Sequence, residues 1–415
     1  MSRPIVLATL VDAWRHDRCT PEDTPFLDAL AKARGALKEP FGFNTGPAMF
    51  GGVYPEVSNQ IQKFWFEPEL SPFAFTRYIP EFLMHLPRGS GRLNNWIFDR
   101  AEATLRARGV TAAKHLVDFQ GVPHVLRRFF NLVETKNHHE PGCLSVPTIF
   151  DVLRNTKRSF QWIGVPDNQL TVAANLADFR RDFVDQDLVF IHWSETDWIG
   201  HASGPDGPEY RAKLKEIDHG IEEVVQTLRA TGRPVRVLAY GDHGMVPVTG
   251  GIDVVQALGG LASRCPDDYV YFLDSTAARF WFFHDRAKGE VTRRLTELPQ
   301  GRFVTEADHA AYRLPRGDRR HWDACWMLEE GYVIRPDFFH TDLDHPVRGM
   351  HGYRPEVPGN QASWVVGGDV TATPRSAAAR DMVDVATTIL NLLELEVPAT
   401  FQGQGLVQVK VQVKV

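Results

Sequence analysis

Three apolar runs that each stop at an acidic residue constrain this chain more than any other feature. Pro4-Ile5-Val6-Leu7-Ala8-Thr9-Leu10-Val11 runs into Asp12. Residues 187–193 (DLVFIHW) lead to Glu195 and Asp197, and residues 234–240 (PVRVLAY) lead to Asp242. A nearly continuous apolar run marks a strand covered on both faces, as in parallel sheets. The polar residue that ends such a strand lies at the carboxyl edge, where open α/β sheets bind their ligands. Helical patterns alternate with these runs. TPFLDALAKARG reads as a helix with Thr24 as N-cap, Pro25 in the first turn and Gly35 at the stop. KLKEIDHGIEEVVQTLRATG is amphipathic and closed by Gly232. Residues 362–367 (ASWVVG) read as a later strand and 376–394 as a late helix. The alternation predicts an α/β fold, a central mostly parallel sheet flanked by helices.

Two stretches interrupt that order. Residues 60–140 are rich in Phe, Trp, Arg and Pro without a βαβ pattern, and residues 250–345 mix short strands (YVYFLD, ARFWFF) with charged segments. Long insertions in α/β enzymes usually wall or cover a site. The chain is therefore expected to be one catalytic domain over residues 1–415, with these two insertions forming a lid. The C-terminal VQVKVQVKV alternates with period two. It reads as an edge strand guarded by lysines, though a tail added in cloning has the same pattern.

With 43% apolar and 24% charged residues in 415, the composition is that of a folded globular chain. A net charge of −6 excludes the broad basic field of a nucleic-acid or anionic-membrane binder. An anionic substrate would need local charges or metals. The four cysteines (Cys19, Cys143, Cys265, Cys325) form no C-x-x-C pair. There is neither a signal-peptide pattern nor an apolar run of ~18 residues, so the expectation is a cytoplasmic protein with reduced thiols and no membrane contact.

Three short clusters carry chemistry: Glu195-Thr196-Asp197-Trp198-Ile199-Gly200-His201, Tyr240-Gly241-Asp242-His243-Gly244-Met245, and Met350-His351-Gly352-Tyr353. With Asp12 they supply three carboxylates and three imidazoles, ligands suited to zinc and similar divalent ions. Six are too many for one tetrahedral site and suit two. Each cluster also has an ordinary reading: a turn or cap for Asp242-His243, a solvated helical pair for Asp197 and His201, an exposed loop for His351. The recurrence of strand-end placement favours the metal reading. Asp218-His219 reads as a solvated helix face, His138-His139 as loop and His192 as a satisfied core histidine.

In these motifs the chain resembles the alkaline phosphatase superfamily, most closely its type I phosphodiesterase/nucleotide pyrophosphatase branch. The matching segments are Asp12, the D-x-x-G-H run Asp197 to His201, the D-H-G-M run Asp242 to Met245, and His351-Gly352-Tyr353, in the family's order. The first helix, the GGVYPE turn and the segment MVDVATTILNLLELEVPATFQGQGL also resemble family features. The resemblance implies an alkaline-phosphatase-like fold and two divalent metals, with Zn2+ favoured and Mn2+ or Fe as alternatives. It assigns Asp197, His201 and His351 to one metal and Asp12, Asp242 and His243 to the other. Paired cations roughly 4 Å apart suit in-line displacement at phosphorus.

The nucleophile segment departs from the family pattern. Counting back from Gly52 without a gap places Gly42, which has no hydroxyl, at the nucleophile position. A shorter helix brings Thr45 there instead, with Gly46 and Pro47 opening it; the ordinary reading of Thr45 is a plain N-cap. Asn44 is a candidate donor to a phosphate oxygen, and Lys63 a second phosphate contact or an exposed lysine. The expected function is metal-dependent hydrolysis of a small-molecule phosphate ester by a phosphodiesterase or nucleotide pyrophosphatase. Phosphomonoester, phosphonate or sulfate ester hydrolysis, and a catalytically inactive ligand-binding relative, are the alternatives. No C/S-x-P-x-R signature near residues 42–50 supports a sulfatase. The aromatic residues Phe64, Trp65, Phe66, Phe73, Phe75 and Tyr78 suit either base stacking or lid packing.

Overall fold

A computed structural model describes residues 2–80, 91–164, 171–340, 342 and 344–410. Its centre is a seven-stranded sheet. In spatial order the strands are Arg380–Asp381, Ala31–Lys38, Ala362–Gly368, Val235–Tyr240, Ile5–Val11, Leu188–Trp193 and Phe160–Ile163. Only Ala362–Gly368 runs against its neighbours; the other pairings along the sheet are parallel. The three runs read as buried strands occupy adjacent central positions, with Ile5–Val11 between the other two. The first strand alternates its side chains between two apolar layers. Val6, Ala8 and Leu10 face a layer that includes Val385, Ile389 and Leu390 of the Asp384–Leu392 helix. Ile5, Leu7 and Val11 face Leu214, Ile217 and Ile221 of the Pro208–Arg229 helix. Period-two burial on both faces is what a central strand requires.

The structure corrects three local expectations. The helix expected over 24–35 spans only Pro25–Leu30, and Ala31–Lys38 is a strand. Ala33 and Leu37 point inward, and Gly35 lies under the Trp364 indole, where an added Cβ would be 3.0 Å from its Nε1. Pairing with Ala362–Gly368 overrides a helical propensity that is only a weak preference. Thr24 stands at the N-cap position but its side chain makes no capping bond. Asp218 supplies it instead: its carboxylate accepts from the backbone N–H of Phe26 at 2.7 Å and of Leu27 at 2.9 Å. Asp218 is therefore buried rather than part of a solvated face, while its neighbour His219 is exposed. The late helix is confined to Asp384–Leu392, because Arg380–Asp381 first pairs with the Ala31–Lys38 strand.

The two insertions share one aromatic core. Phe64, Phe73, Phe119 and Phe130 from the first pack with Phe272, Phe280, Trp281 and Trp326 from the second. The second carries an antiparallel sheet in the order Tyr269–Leu273, Ala277–Phe282, Ala324–Leu328, Gly301–Phe303. Arg279, buried and paired within the second insertion with Asp274 (Nε to carboxylate 2.7 Å), joins the two insertions by donating from Nη1 to the carbonyl of Phe64 at 2.9 Å. Of the aromatics considered for base stacking, Phe64 and Phe73 are core residues, Phe66 stacks on Trp281, and Tyr78 is exposed. The C-terminal alternation forms a strand over Val407–Lys410, paired antiparallel with Thr371–Pro374; residues 411–415 lie outside the described residues. The four cysteines are free, and no described helix is long and apolar enough to cross a membrane.

Candidate active site

At the carboxyl edge of the central strands, all six proposed ligands come together. Asp12 follows Ile5–Val11, and Asp242 and His243 follow Val235–Tyr240. Asp197 and His201 lie one turn apart on the Glu195–Ser203 helix, which begins just after Leu188–Trp193. His351 follows the short Gly349–Met350 strand. The ligand atoms fall into two groups, Asp197, His201 and His351 in one and Asp12, Asp242 and His243 in the other, with the atoms of each group within 4.8 Å of one another. These are the two sets that the family resemblance implies. His201 Nε2 is 3.2 Å from Asp197 Oδ1, and His351 Nε2 is 3.6 Å from the same oxygen. His243 Nε2 is 3.3 Å from Asp12 Oδ1 and 3.5 Å from Asp242 Oδ2.

The donor chemistry fits divalent cations. His201 Nδ1 donates to the carbonyl of Gly349 at 2.8 Å, and His243 Nδ1 to that of Gly244 at 2.9 Å. Each bond fixes the tautomer that leaves the Nε2 lone pair facing the carboxylates, the usual outer arrangement of a metal-binding histidine. Asp197 Oδ1 is buried without a hydrogen-bond partner among the described residues. Burial, and then repulsion from Asp242 and Asp197, pushes the Asp12 carboxyl well above its ordinary range. Burial would also raise Asp197, but His201, His351 and His243 outweigh it and hold that carboxyl far below. Burial, with His243 beside it, pushes the His351 imidazole well down. Crowded carboxylates with oriented imidazoles form a site that two cations would satisfy.

A cavity of about 310 Å³ opens on both groups. It is lined by the candidate ligands Asp12, Asp197, His201, Asp242, His243 and His351, by Thr45 and Phe43, and by Lys63, Ser275, Phe339 and His340 from the two insertions. A second cavity of about 180 Å³ adjoins it at Phe43, Thr45 and Asp242 and is lined by Asn44, His115, Glu134 and His138. Thr45 thus borders both. It is the N-cap of the Gly46–Gly51 helix, which starts where Gly46-Pro47 was expected to open it, and its side chain makes no capping bond. Asn44 is buried, and its amide Nδ2 donates to Gln60 Oε1 at 3.3 Å. Lys63 Nζ reaches Asp118 at 3.5 Å and lies 5.7 Å from the Phe339 ring centre.

Sequence reasoning missed four neighbours of this site. His192, read as a core histidine, donates from Nε2 to Asp12 Oδ2 at 3.0 Å. His138 is in a turn, as expected, but its ring covers Gly46 so closely that a Cβ there would meet it at 2.2 Å. Glu39, at the end of Ala31–Lys38, is buried in the cavity wall and bonded by Asn360. Burial pushes its carboxyl well up, despite that bond. His340 is held by Asp337, 3.2 Å from Nδ1, and by Ser275, 3.1 Å from the same nitrogen. None belongs to a motif; only the pairing of distant strands and insertions reveals them.

Fold and ligand set define an alkaline-phosphatase-like α/β protein with two candidate metal-binding groups at one sheet edge. The chain belongs to the type I phosphodiesterase / nucleotide pyrophosphatase family, whose model matches residues 6–353. It is 29% identical over 259 residues to an uncharacterized pyrophosphatase/phosphodiesterase of Schizosaccharomyces pombe, covering 59% of this chain and 45% of that protein. It is 37% identical over 65 residues to the human GPI ethanolamine phosphate transferase 2 catalytic subunit, 15% of this chain and 7% of that one. The chain thus spans less than half the length of the curated relatives it matches. Among solved structures it is similar to human ectonucleotide pyrophosphatase/phosphodiesterase 5, with a TM-score of 0.66 at 14% identity over 97% of each chain. It is also similar to an inactive threonine-to-alanine variant of the murine protein in complex with AMP, with a TM-score of 0.65 at 15% identity, covering 98% of this chain and 100% of that one. At these identities the likeness is one of fold.

Proposed function

We propose that the chain is a two-metal phosphodiesterase or nucleotide pyrophosphatase that cleaves small phosphate esters through a Thr45 nucleophile. The observation that carries this reading is that Thr45 borders the same cavity as two complete three-ligand groups. Asp197, His201 and His351 would hold one cation and Asp12, Asp242 and His243 the other, with zinc favoured by the mixed nitrogen and oxygen donors. When bound, the two cations supply Lewis-acid stabilisation of the attacking and leaving oxygens.

The chain's own residues do the rest. Thr45 presents its hydroxyl at a helix N-terminus, uncommitted to a cap, and attacks phosphorus as the ester oxygen departs. Asn44 offers an amide N–H for a non-bridging oxygen, and Lys63 a positive charge at the mouth of the cavity. The insertions act as a cap, contributing Lys63, Ser275, Phe339 and His340 to the cavity while supplying none of the six ligands. The murine neighbour, inactive as a threonine-to-alanine variant and bound to AMP, supports a threonine nucleophile and a nucleotide-like ester. The test is turnover of bis-p-nitrophenyl phosphate by zinc-reconstituted protein. Wild type should turn over and Thr45→Ala should lose most activity while keeping two metals. Wild-type turnover by Thr45→Ala would assign attack to water instead.

A further inference from the structure

His192 stands at the penultimate position of the Leu188–Trp193 strand, beside Leu10 of the Ile5–Val11 strand. Its Nε2–H points across to Asp12 Oδ2 at 3.0 Å. Asp12 Oδ1, the other oxygen, is the one that lies 3.3 Å from His243 Nε2. The imidazole therefore fixes which carboxylate oxygen faces the ligand group. His192 is itself fixed. Asn175 Nδ2 donates to its carbonyl at 2.9 Å, and Gly164 passes so close, at φ +97°, that a Cβ there would meet this carbonyl at 2.7 Å. Only glycine combines that backbone conformation with that approach.

The two ligand groups differ in how firmly they are oriented. In the Asp12 group every ligand has an outer hydrogen bond. His192 holds Asp12, the N–H groups of Ala13 (3.3 Å) and His243 (3.1 Å) hold Asp242 Oδ1, and the Gly244 carbonyl holds His243. Among the described residues, the other group has such a bond only at His201, from Gly349. Among the described residues Asp197 Oδ1 lacks a hydrogen-bond partner, and His351 is placed by stacking on His243, with ring centres 3.6 Å apart and planes at 6°. Outer-shell partners of ligating carboxylates commonly govern metal affinity by 10–100-fold.

We propose that His192 is a positioning residue for Asp12, and that the cation affinity of the Asp12–Asp242–His243 group depends on it while that of the Asp197–His201–His351 group does not. This rests on the two-metal reading above. His192 makes no contact with a bound cation; it acts by holding Oδ2 so that Oδ1 meets the cation without a reorientation cost. His192 also lines the smaller cavity beside Thr45.

The test is a zinc titration of metal-free protein against a chromophoric chelator at neutral pH, giving stepwise dissociation constants without reference to activity. His192→Phe keeps a ring in the wall but removes the N–H donor. His192→Gln keeps a donor of similar reach. Wild type should bind two zinc ions. In His192→Phe one constant should weaken 10–100-fold while the other stays within about threefold. His192→Gln should recover most of the loss. The same variant paired with Asp197→Asn, which cripples the other group, should show the weakened step as its remaining one. Two unchanged constants in His192→Phe, or equal weakening of both, would overturn the positioning role while leaving the two-metal reading intact. A wild-type chain that takes up no zinc would overturn both.

Discussion

Asp218 offers a perturbation whose size follows from geometry. Its two oxygens accept from the N–H groups of Phe26 and Leu27 at 2.7 and 2.9 Å, the orphan donors at the start of the Pro25–Leu30 helix, where Thr24 provides no side-chain cap. Hydrogen bonds to a charged group are worth about 1.5–3 kcal/mol each, and a capping residue replaced by Ala costs about 1 kcal/mol. Leu27 is fully buried, so water cannot replace its bond, whereas Phe26 is half-buried and recovers part of the loss. Asp218→Ala should therefore destabilise the protein by about 2–4 kcal/mol. Asp218→Asn should cost less, because one oxygen remains an acceptor while the amide turns a donor toward the second N–H. Equilibrium urea unfolding reads this as a lower midpoint at unchanged slope. The folded variant should retain its metal content and turnover, since Asp218 lines neither cavity beside Thr45. A destabilisation below about 0.5 kcal/mol would refute the capping role, and loss of metal from folded protein would tie Asp218 to the site.

Three further outcomes are expected. Burial pushes the His321 imidazole down to about 4, so the fold holds it neutral while the unfolded chain takes a proton near pH 6.5. Stability linked to His321 is complete above pH 6.5 and is lost as pH falls toward 4, by up to about 3 kcal/mol; His321→Phe should flatten that limb of a stability–pH profile. Asp274→Ala leaves the buried Arg279 guanidinium unpaired and should cost about 3–5 kcal/mol in chemical unfolding, far more than removal of the exposed Arg106–Glu102 pair. Asp242→Asn should lower zinc stoichiometry by elemental analysis and abolish turnover, because the amide oxygen stays with the N–H groups of Ala13 and His243 while an amide nitrogen, which cannot bind a cation, replaces the second carboxylate oxygen.

The fold class and the clustering of the six candidate ligand residues were legible because both depend on local signals, an apolar run that ends in a carboxylate and short spacings such as Asp197 to His201. Strand pairing was not. Ala31–Lys38 has the composition of a helix, and only the neighbouring Ala362–Gly368 strand makes it a strand. Asp218 reads as solvated because helical periodicity gives no hint that the Pro25–Leu30 helix starts on it. His192, Glu39, His138 and His340 escaped for the same reason: each meets the site through a partner between 92 and 321 residues away in sequence or across an insertion, and no motif encodes such distances. The aromatic run 64–78 shows the opposite error. Its composition suits stacking on a ligand, but Phe64 and Phe73 are consumed by the core shared between insertions.

The most direct test of the central claim is to mix zinc-loaded protein with a diester carrying labelled phosphorus, quench in acid within one turnover, and map the label by peptide mass spectrometry. Attack by Thr45 predicts a single phosphorylated peptide bearing the group on Thr45, absent from Thr45→Ala. Turnover with no protein-bound label at any quench time, and undiminished in Thr45→Ala, would contradict it.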